Sequence, residues 1–186
     1  IMGTIFVDNI KQQSSQGSGT ITIGASGETV ALASGVKQSN INYPAFDANM
    51  SDNQELANGT TTKLNFDEEV LDTNNFYDTS TYRFTPLVGG KYLVYAYAAF
   101  TGVSNSTLVE CNVFLHKNGT AYAQNRCNLQ SNPGNAMGLY ISRIIEFNGS
   151  SDYVEAYGYI NTNNSTERVM GTNDRFTGFG GYRIGT

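Results

Sequence analysis

The stretch Lys91-Tyr92-Leu93-Val94-Tyr95-Ala96-Tyr97-Ala98-Ala99-Phe100 decides the fold. Its aromatic and β-branched content favours an extended strand, and in a strand successive side chains point to opposite faces. Tyr92, Val94, Ala96, Ala98 and Phe100 then share one face, and Leu93, Tyr95, Tyr97 and Ala99 the other. Neither face suits water. A strand in a two-sheet sandwich meets the core on one side only, so the second apolar face requires a further partner, most simply another copy of the chain. Met137 to Phe147 and Phe176 to Ile184 lean the same way, with Tyr140 and Ile144, and Phe179, on their second faces. Tyr95, Tyr97, Tyr140 and Phe179 are therefore the expected residues of an interface between copies, with Tyr92, Val94 and Phe100 taking the place of Tyr95 and Tyr97 if the two faces are reversed; closed cyclic symmetry would keep such an assembly finite.

Around this strand, from Tyr43 to Ile184, runs of five to ten residues are punctuated by turn chemistry, with no helical period. Strands are expected at Ala45 to Asn49, Thr61 to Phe66, Tyr82 to Thr85, Leu108 to His116, Ala121 to Cys127, Met137 to Phe147, Tyr153 to Ile160 and Arg175 to Ile184. In Leu108 to His116, Val109, Cys111, Val113 and Leu115 alternate with Glu110, Asn112 and His116, with Leu108 and Phe114 interrupting the polar face, the pattern of an outer sheet with one wet face. Lys117-Asn118-Gly119 is a hairpin signal, since Asn and Gly tolerate positive φ. If that turn takes a three-residue form with Gly119 bulged, His116 faces Thr120, Val109 faces Cys127, and Cys111 and Cys127 lie diagonal on one face. Two free buried thiols fit that register better than a disulfide.

The chain has 186 residues, enough for one domain plus an appendage at about 150 residues per domain. Charged residues make up 15%, with 11 basic and 16 acidic, net -5. That balance excludes nucleic-acid binding, which needs a basic stripe to displace counterions. The longest apolar run, Leu93 to Phe100, is too short for membrane insertion. Ile1 to Ser15 holds one basic residue, Lys11, and no export-type apolar stretch. The expectation is synthesis and assembly in a cytoplasm, and the sequons at Asn58, Asn105 and Asn118 carry little weight there.

Phe66, Asp72, Tyr77, Phe84, Gly90 and Tyr92 fall at the spacings that mark the globular-head family of complement component one, subcomponent q, a tumour necrosis factor-like jelly roll. Val94 and Ala96 depart from the aromatic residues usual at the last two positions, and Phe176-Thr177-Gly178-Phe179 resembles the family's final core strand. The resemblance spans roughly Tyr43 to Tyr182. It implies an all-β, two-sheet antiparallel jelly-roll sandwich over residues 43–186, homotrimeric, with inner sheets packed around a three-fold axis.

Residues 1–42 have a different composition, rich in Gly, Ser, Thr and Gln, with Gly19, Gly27 and Gly35 separating Thr20-Ile21-Thr22-Ile23 from Thr29-Val30-Ala31-Leu32. Two readings compete: an extended β-rich stalk whose strands need partner chains, or a flexible Gly/Ser-rich tail. Gly19 to Gly24 and Gly27 to Val30 look like the short β repeats of fibre and other structural proteins of tailed bacteriophages. A jelly-roll head on such a stalk reads as a virion protein, a trimeric tail fibre or spike whose distal head binds the host surface. The alternatives are a capsid decoration or cement trimer and a secreted cellular binding module. In the virion reading Ile5, Phe6 and Val7 dock on other virion proteins. The Asn-, Ser- and Thr-rich stretches 101–107, 130–135 and 161–167, with Asn105, Asn132 and Asn163, are the candidate receptor-facing loops for a host surface glycan.

Catalytic chemistry is not expected. The single histidine, His116, has no nucleophile motif near it, and reads as a surface residue closing a strand. Asp67-Glu68-Glu69 with Asp72 reads as a solvated acidic loop or, alternatively, a calcium site, which wants about six to eight oxygens. No other cofactor is implied.

Overall fold

The computed structural model describes residues 43–102, 104–163, 167–169 and 176–185. The expected stalk, residues 1–42, with Ile5, Phe6 and Val7, lies outside the described residues. The strands are β1 (Ala45–Asn49), β2 (Gln54–Leu56), β3 (Thr62–Lys63), β4 (Glu68–Asp72), β5 (Tyr77–Asp78), β6 (Arg83–Phe84), β7 (Gly90–Gly102), β8 (Leu108–Lys117), β9 (Thr120–Asn128), β10 (Ala136–Phe147), β11 (Val154–Thr162), β12 (Glu167–Val169) and β13 (Gly178–Gly185).

Two antiparallel sheets result. Sheet A follows the order β2-β12-β7-β13-β1-β4, with β10 also paired to β7; sheet B follows β5-β6-β11-β8-β9, with β3 also on β11. The long strand β7 is central in sheet A, and its Tyr92, Val94, Ala96, Ala98 and Phe100 are buried against sheet B. Opposite them lie Cys111, Val113 and Leu115 of β8 and Val154, Ala156 and Ile160 of β11. Aromatic rings fill one end of the core: Phe46 stacks on Phe84 at 4.1 Å and meets Phe179 edge-on at 4.9 Å. Such pairs add to the burial of each ring.

Three expectations change. Phe179 is a core residue, 0% exposed, because the β13–β7 register sets it opposite Ala96, an inward position. The second face of β13 is carried instead by Gly178, Gly180 and Tyr182. The acidic stretch is not a loop: Glu68–Asp72 is a strand that pairs with β1 at the edge of sheet A. Asp67 accepts the Ser51 N–H at 2.8 Å and its hydroxyl at 2.7 Å, and Asp72 accepts the Tyr77 N–H at 2.7 Å. Among the described residues no three such groups converge on a metal position.

The third change is the hairpin register. Asn118 (φ 52°) and Gly119 (φ 78°) form a two-residue turn, with Lys117 opposite Thr120 and His116 opposite Ala121. Positive φ at both central residues gives the turn the twist of the flanking strands. After a bulge between Leu115 and His116, Cys111 and Cys127 stand directly opposite one another. Leu129 N–H donates to Val109 O at 2.7 Å, so by alternation the cysteine pair is hydrogen-bonded, with Cα atoms about 5.5 Å apart. Both thiols are free.

Candidate functional site

The second face of sheet A is built by alternation along β7. Leu93 lies between Tyr182 of β13 and Ile144 of β10, Tyr95 between Gly180 and Ser142, and Tyr97 between Gly178 and Tyr140. The glycines matter here. A Cβ on Gly178 would collide with the Tyr97 ring, and one on Gly180 with the Tyr95 ring. Each tyrosine therefore lies down across the neighbouring strand, which only glycine permits at so close an approach. The Tyr95 hydroxyl donates to Asp47 Oδ1 at 3.0 Å, and burial, then that carboxylate, push its pKa well above the ordinary value.

What remains in water is large and apolar. Tyr140 is 54% exposed, Ile144 56% and Tyr182 47%, with Leu71 of β4 exposed beside Asp47 on the same face. Of the expected interface residues, Tyr95 and Tyr97 form the floor of this face and Tyr140 rises from it. Ile144 and Tyr182 complete it.

Among the described strands β10 is an open edge of sheet A, and its backbone is guarded. Gly102 N–H donates to Asn135 O, so odd residues of β10 bond toward β7 and even residues face outward. Each outward carbonyl from Tyr140 to Glu146 accepts a side-chain donor. Asn125 Nδ2 reaches Tyr140 O at 2.9 Å, an Arg143 guanidinium nitrogen reaches Ser142 O at 2.8 Å, the Tyr122 hydroxyl reaches Ile144 O at 3.5 Å, and Lys117 Nζ reaches Glu146 O at 2.7 Å. Three of these donors come from sheet B and stitch the two edges together.

Described residues of the three stretches expected to face a receptor meet at one end of the sandwich, around the last residue of β7. Asn163 N–H donates to Thr107 O at 2.9 Å, Leu108 bridges to Gly134, and Asn135 Oδ1 accepts Ser106 N–H at 2.5 Å. Asn58 closes the cluster, accepting Thr162 N–H at 3.1 Å and donating to Thr162 O at 3.3 Å. Asn105, Asn132 and Asn163 are exposed there. The chain enters at the other end, where Arg183 N–H donates to Pro44 O.

On the outer face of sheet B sits a cluster that the sequence did not announce. Glu155, 1% exposed, accepts Lys63 Nζ at 2.6 Å and Arg83 at 3.0 Å. Burial pushes the Glu155 pKa up, but the bonds from Lys63 and Arg83 outweigh it and hold the group below the usual carboxylate value. His116, directly opposite Glu155, stacks on Tyr157 at 4.0 Å, and burial lowers its pKa despite that neighbour. It is thus a packed residue rather than an open strand end. The only hint in sequence was the alternation of Glu155 with Tyr157 and Tyr159.

Neither a protein-family model nor a curated protein matches the sequence. Solved structures do. The globular domain of zebrafish complement 1qA protein superposes with a TM-score of 0.53 at 14% identity, covering 76% of this chain and 97% of that one. Murine APRIL gives a TM-score of 0.57 at 10% identity, covering 77% and 100%. Eiger TNF from S. frugiperda gives 0.52 at 9% identity, covering 76% and 91%. Likeness at these identities is one of fold, and the fold is the complement-head and tumour necrosis factor-like jelly roll.

Proposed function

We propose that this chain is a structural, adhesive protein of a tailed phage: a homotrimeric fibre or spike, assembled in the host cytoplasm, whose distal head engages the host surface. The observation that supports the oligomeric part of the reading is the second face of sheet A, where Tyr140, Ile144 and Tyr182 stand exposed although β7 already fills a core on its other side; the phage assignment rests on the composition of residues 1–42. An apolar face of this kind calls for cover, and a closed ring of three copies supplies it without leaving a free face. The complement-head resemblance of the sequence implies the same assembly. The polarity of the head supports the adhesive half: the chain enters at Tyr43 and the loop cluster lies at the opposite end. Residues Ile5, Phe6 and Val7 then dock on the virion. No catalytic step belongs to this reading, in which His116 and the carboxylates serve packing and turns.

Light scattering of the purified chain tests the assembly, and electron microscopy of intact particles labelled for this chain tests the role. Density at a tail tip is expected. Density on capsomers moves the assignment to decoration or cement, and absence from particles sinks the virion reading in favour of a secreted binding module.

A further inference from the structure

We propose that the outer face of sheet B is a binding platform for a neutral saccharide chain, one per copy; the inference rests on the adhesive half of the reading above and is independent of the trimer. Alternation turns Asn112 and Phe114 of β8, and Tyr157 and Tyr159 of β11, away from the core, with Phe114 beside Tyr157 and Asn112 beside Tyr159. All three residues are partly exposed, and Tyr157 has one ring face covered by His116, stacked at 4.0 Å. Tyr157 and Tyr159 are two residues apart on one strand, about 6.7 Å, and Phe114 is a cross-strand neighbour at about 5 Å. The weakly positive C–H face of a sugar ring stacks on the negative face of such rings.

The chemistry around the rings selects the ligand. Among the described residues the exposed large aliphatic side chains, Val70, Leu71, Leu87, Ile144 and Ile184, all lie elsewhere, so this face lacks the aliphatic surface a protein partner would cover. Its carboxylates are matched: Glu110 pairs with Arg126 at 2.7 Å, and Glu155 with Lys63 and Arg83. Amides border the rings, with Gln124 opposite Phe114 and Asn161 two residues beyond Tyr159. Amides donate and accept, as sugar hydroxyls do.

One buried group lacks what a saccharide would bring. Asn112 is 7% exposed and its Oδ1 has no hydrogen-bond partner among the described residues. An orphaned buried acceptor is costly and rare. Its row is completed by Tyr159 on one side and Arg126 on the other, and the Arg126 side chain is more than half exposed. A sugar stacked on Tyr159 brings a hydroxyl to this row, with Arg126 keeping its pair with Glu110.

The test titrates linear neutral hexasaccharides of β-1,4-glucose, α-1,4-glucose and β-1,4-mannose into the full chain, followed by tyrosine emission, which no tryptophan masks, and by saturation transfer from aromatic protons. Saturable binding of at least one chain is expected, weakened about tenfold or more by Tyr159→Ala and by Phe114→Ala, kept by Tyr159→Phe, and indifferent to the loop variant Asn105→Ala/Asn132→Ala. Binding of none, binding of sulfated saccharides alone, or binding that the loop variant abolishes and Tyr159→Ala does not, overturns the platform. Attachment of the labelled wild-type chain to host cells is scored separately. Attachment without neutral-saccharide binding removes the platform and leaves the adhesive reading; saccharide binding without attachment does the reverse.

Discussion

Replacing Tyr140 tests whether the second face of sheet A is a contact between copies. Tyr140 lies across from Tyr97 and is 54% exposed, so its loss spares the sandwich core. A fully covered tyrosine buries roughly 150–250 Å², and about half of that, on the order of 100 Å², remains here for a partner copy to cover. At about 25 cal/mol per Å², Tyr140→Ala forfeits roughly 2.5 kcal/mol per copy. Three copies make that roughly 7.5 kcal/mol, or about five decades in the trimer dissociation constant at ~1.4 kcal/mol per decade. Tyr140→Lys adds the desolvation of an unpaired charge on top of that loss. Sedimentation velocity over a micromolar dilution series reads the result: wild type stays trimeric, Tyr140→Ala dissociates on dilution, and Tyr140→Lys is monomeric with an unchanged circular dichroism spectrum. Gln124→Ala, on the opposite sheet, leaves the mass unchanged. A Tyr140→Lys protein that keeps the full trimer mass throughout would refute the assigned face.

Gly180→Ala forces the Tyr95 ring off its bed and sets a Cβ 2.9 Å from Phe46 O, so it is expected to cost about 1–3 kcal/mol by chemical denaturation; an unchanged midpoint shows that the ring does not depend on the glycine. Burial pushes the Cys111 thiol up to about 12, so native protein at mildly alkaline pH should label it far more slowly than unfolded protein, and equal rates would contradict its packing. His116 is held below its ordinary pKa, so the unfolded chain takes up the proton first and stability falls as pH drops below about 6.5. Glu155 is depressed as well, so its contribution is present above about 4.3 and lost as pH falls through its folded value. Denaturation midpoints against pH should show both limbs, with His116→Phe removing the upper one. The triple variant Lys117→Met, Tyr122→Phe, Asn125→Ala uncovers three edge carbonyls and is expected to raise thioflavin-positive aggregation; the same solubility as wild type would mean the caps do not guard the edge.

The two-faced character of β7 was legible because a period of two survives any context: whichever sheet it joins, Tyr95 and Tyr97 oppose Tyr92 and Val94. Phe179 was misplaced for a related reason. In β13 the second-face positions on either side of Phe179 are Gly178 and Gly180, so no bulky neighbour there shows which way Phe179 points. The strand β4 was hidden by its charges, since Glu and Asp are depleted from strands except at edges, where they block unwanted pairing. The cysteine register turned on one residue of turn length and one further residue at the bulge between Leu115 and His116, and the choice between a two-residue and a bulged three-residue turn is made by backbone twist rather than by residue type. Glu155 was beyond reach because its burial depends on Lys63 and Arg83, which are distant in sequence and arrive from β3 and β6.

A single strand, β10, links the face to the kind of assembly it can support. Its even residues send Tyr140 and Ile144 to the second face, and the same alternation sends their carbonyls to the open edge. An apolar face beside a bare edge would offer two modes of association, cover by a neighbouring face and addition of a strand, and strand addition has no natural end. Here the second mode must first break the bonds from Asn125, Arg143, Tyr122 and Lys117. At about 0.5–1.5 kcal/mol each, that is a handicap of roughly 2–6 kcal/mol, while covering the face requires none of them to break. The difference selects contact through side chains of the face, and a face contact repeated by rotation closes into a ring when the rotation divides the circle, whereas strand addition would grow into a filament. The caps on β10 therefore favour a finite oligomer, with its size left to the geometry of Tyr140, Ile144 and Tyr182.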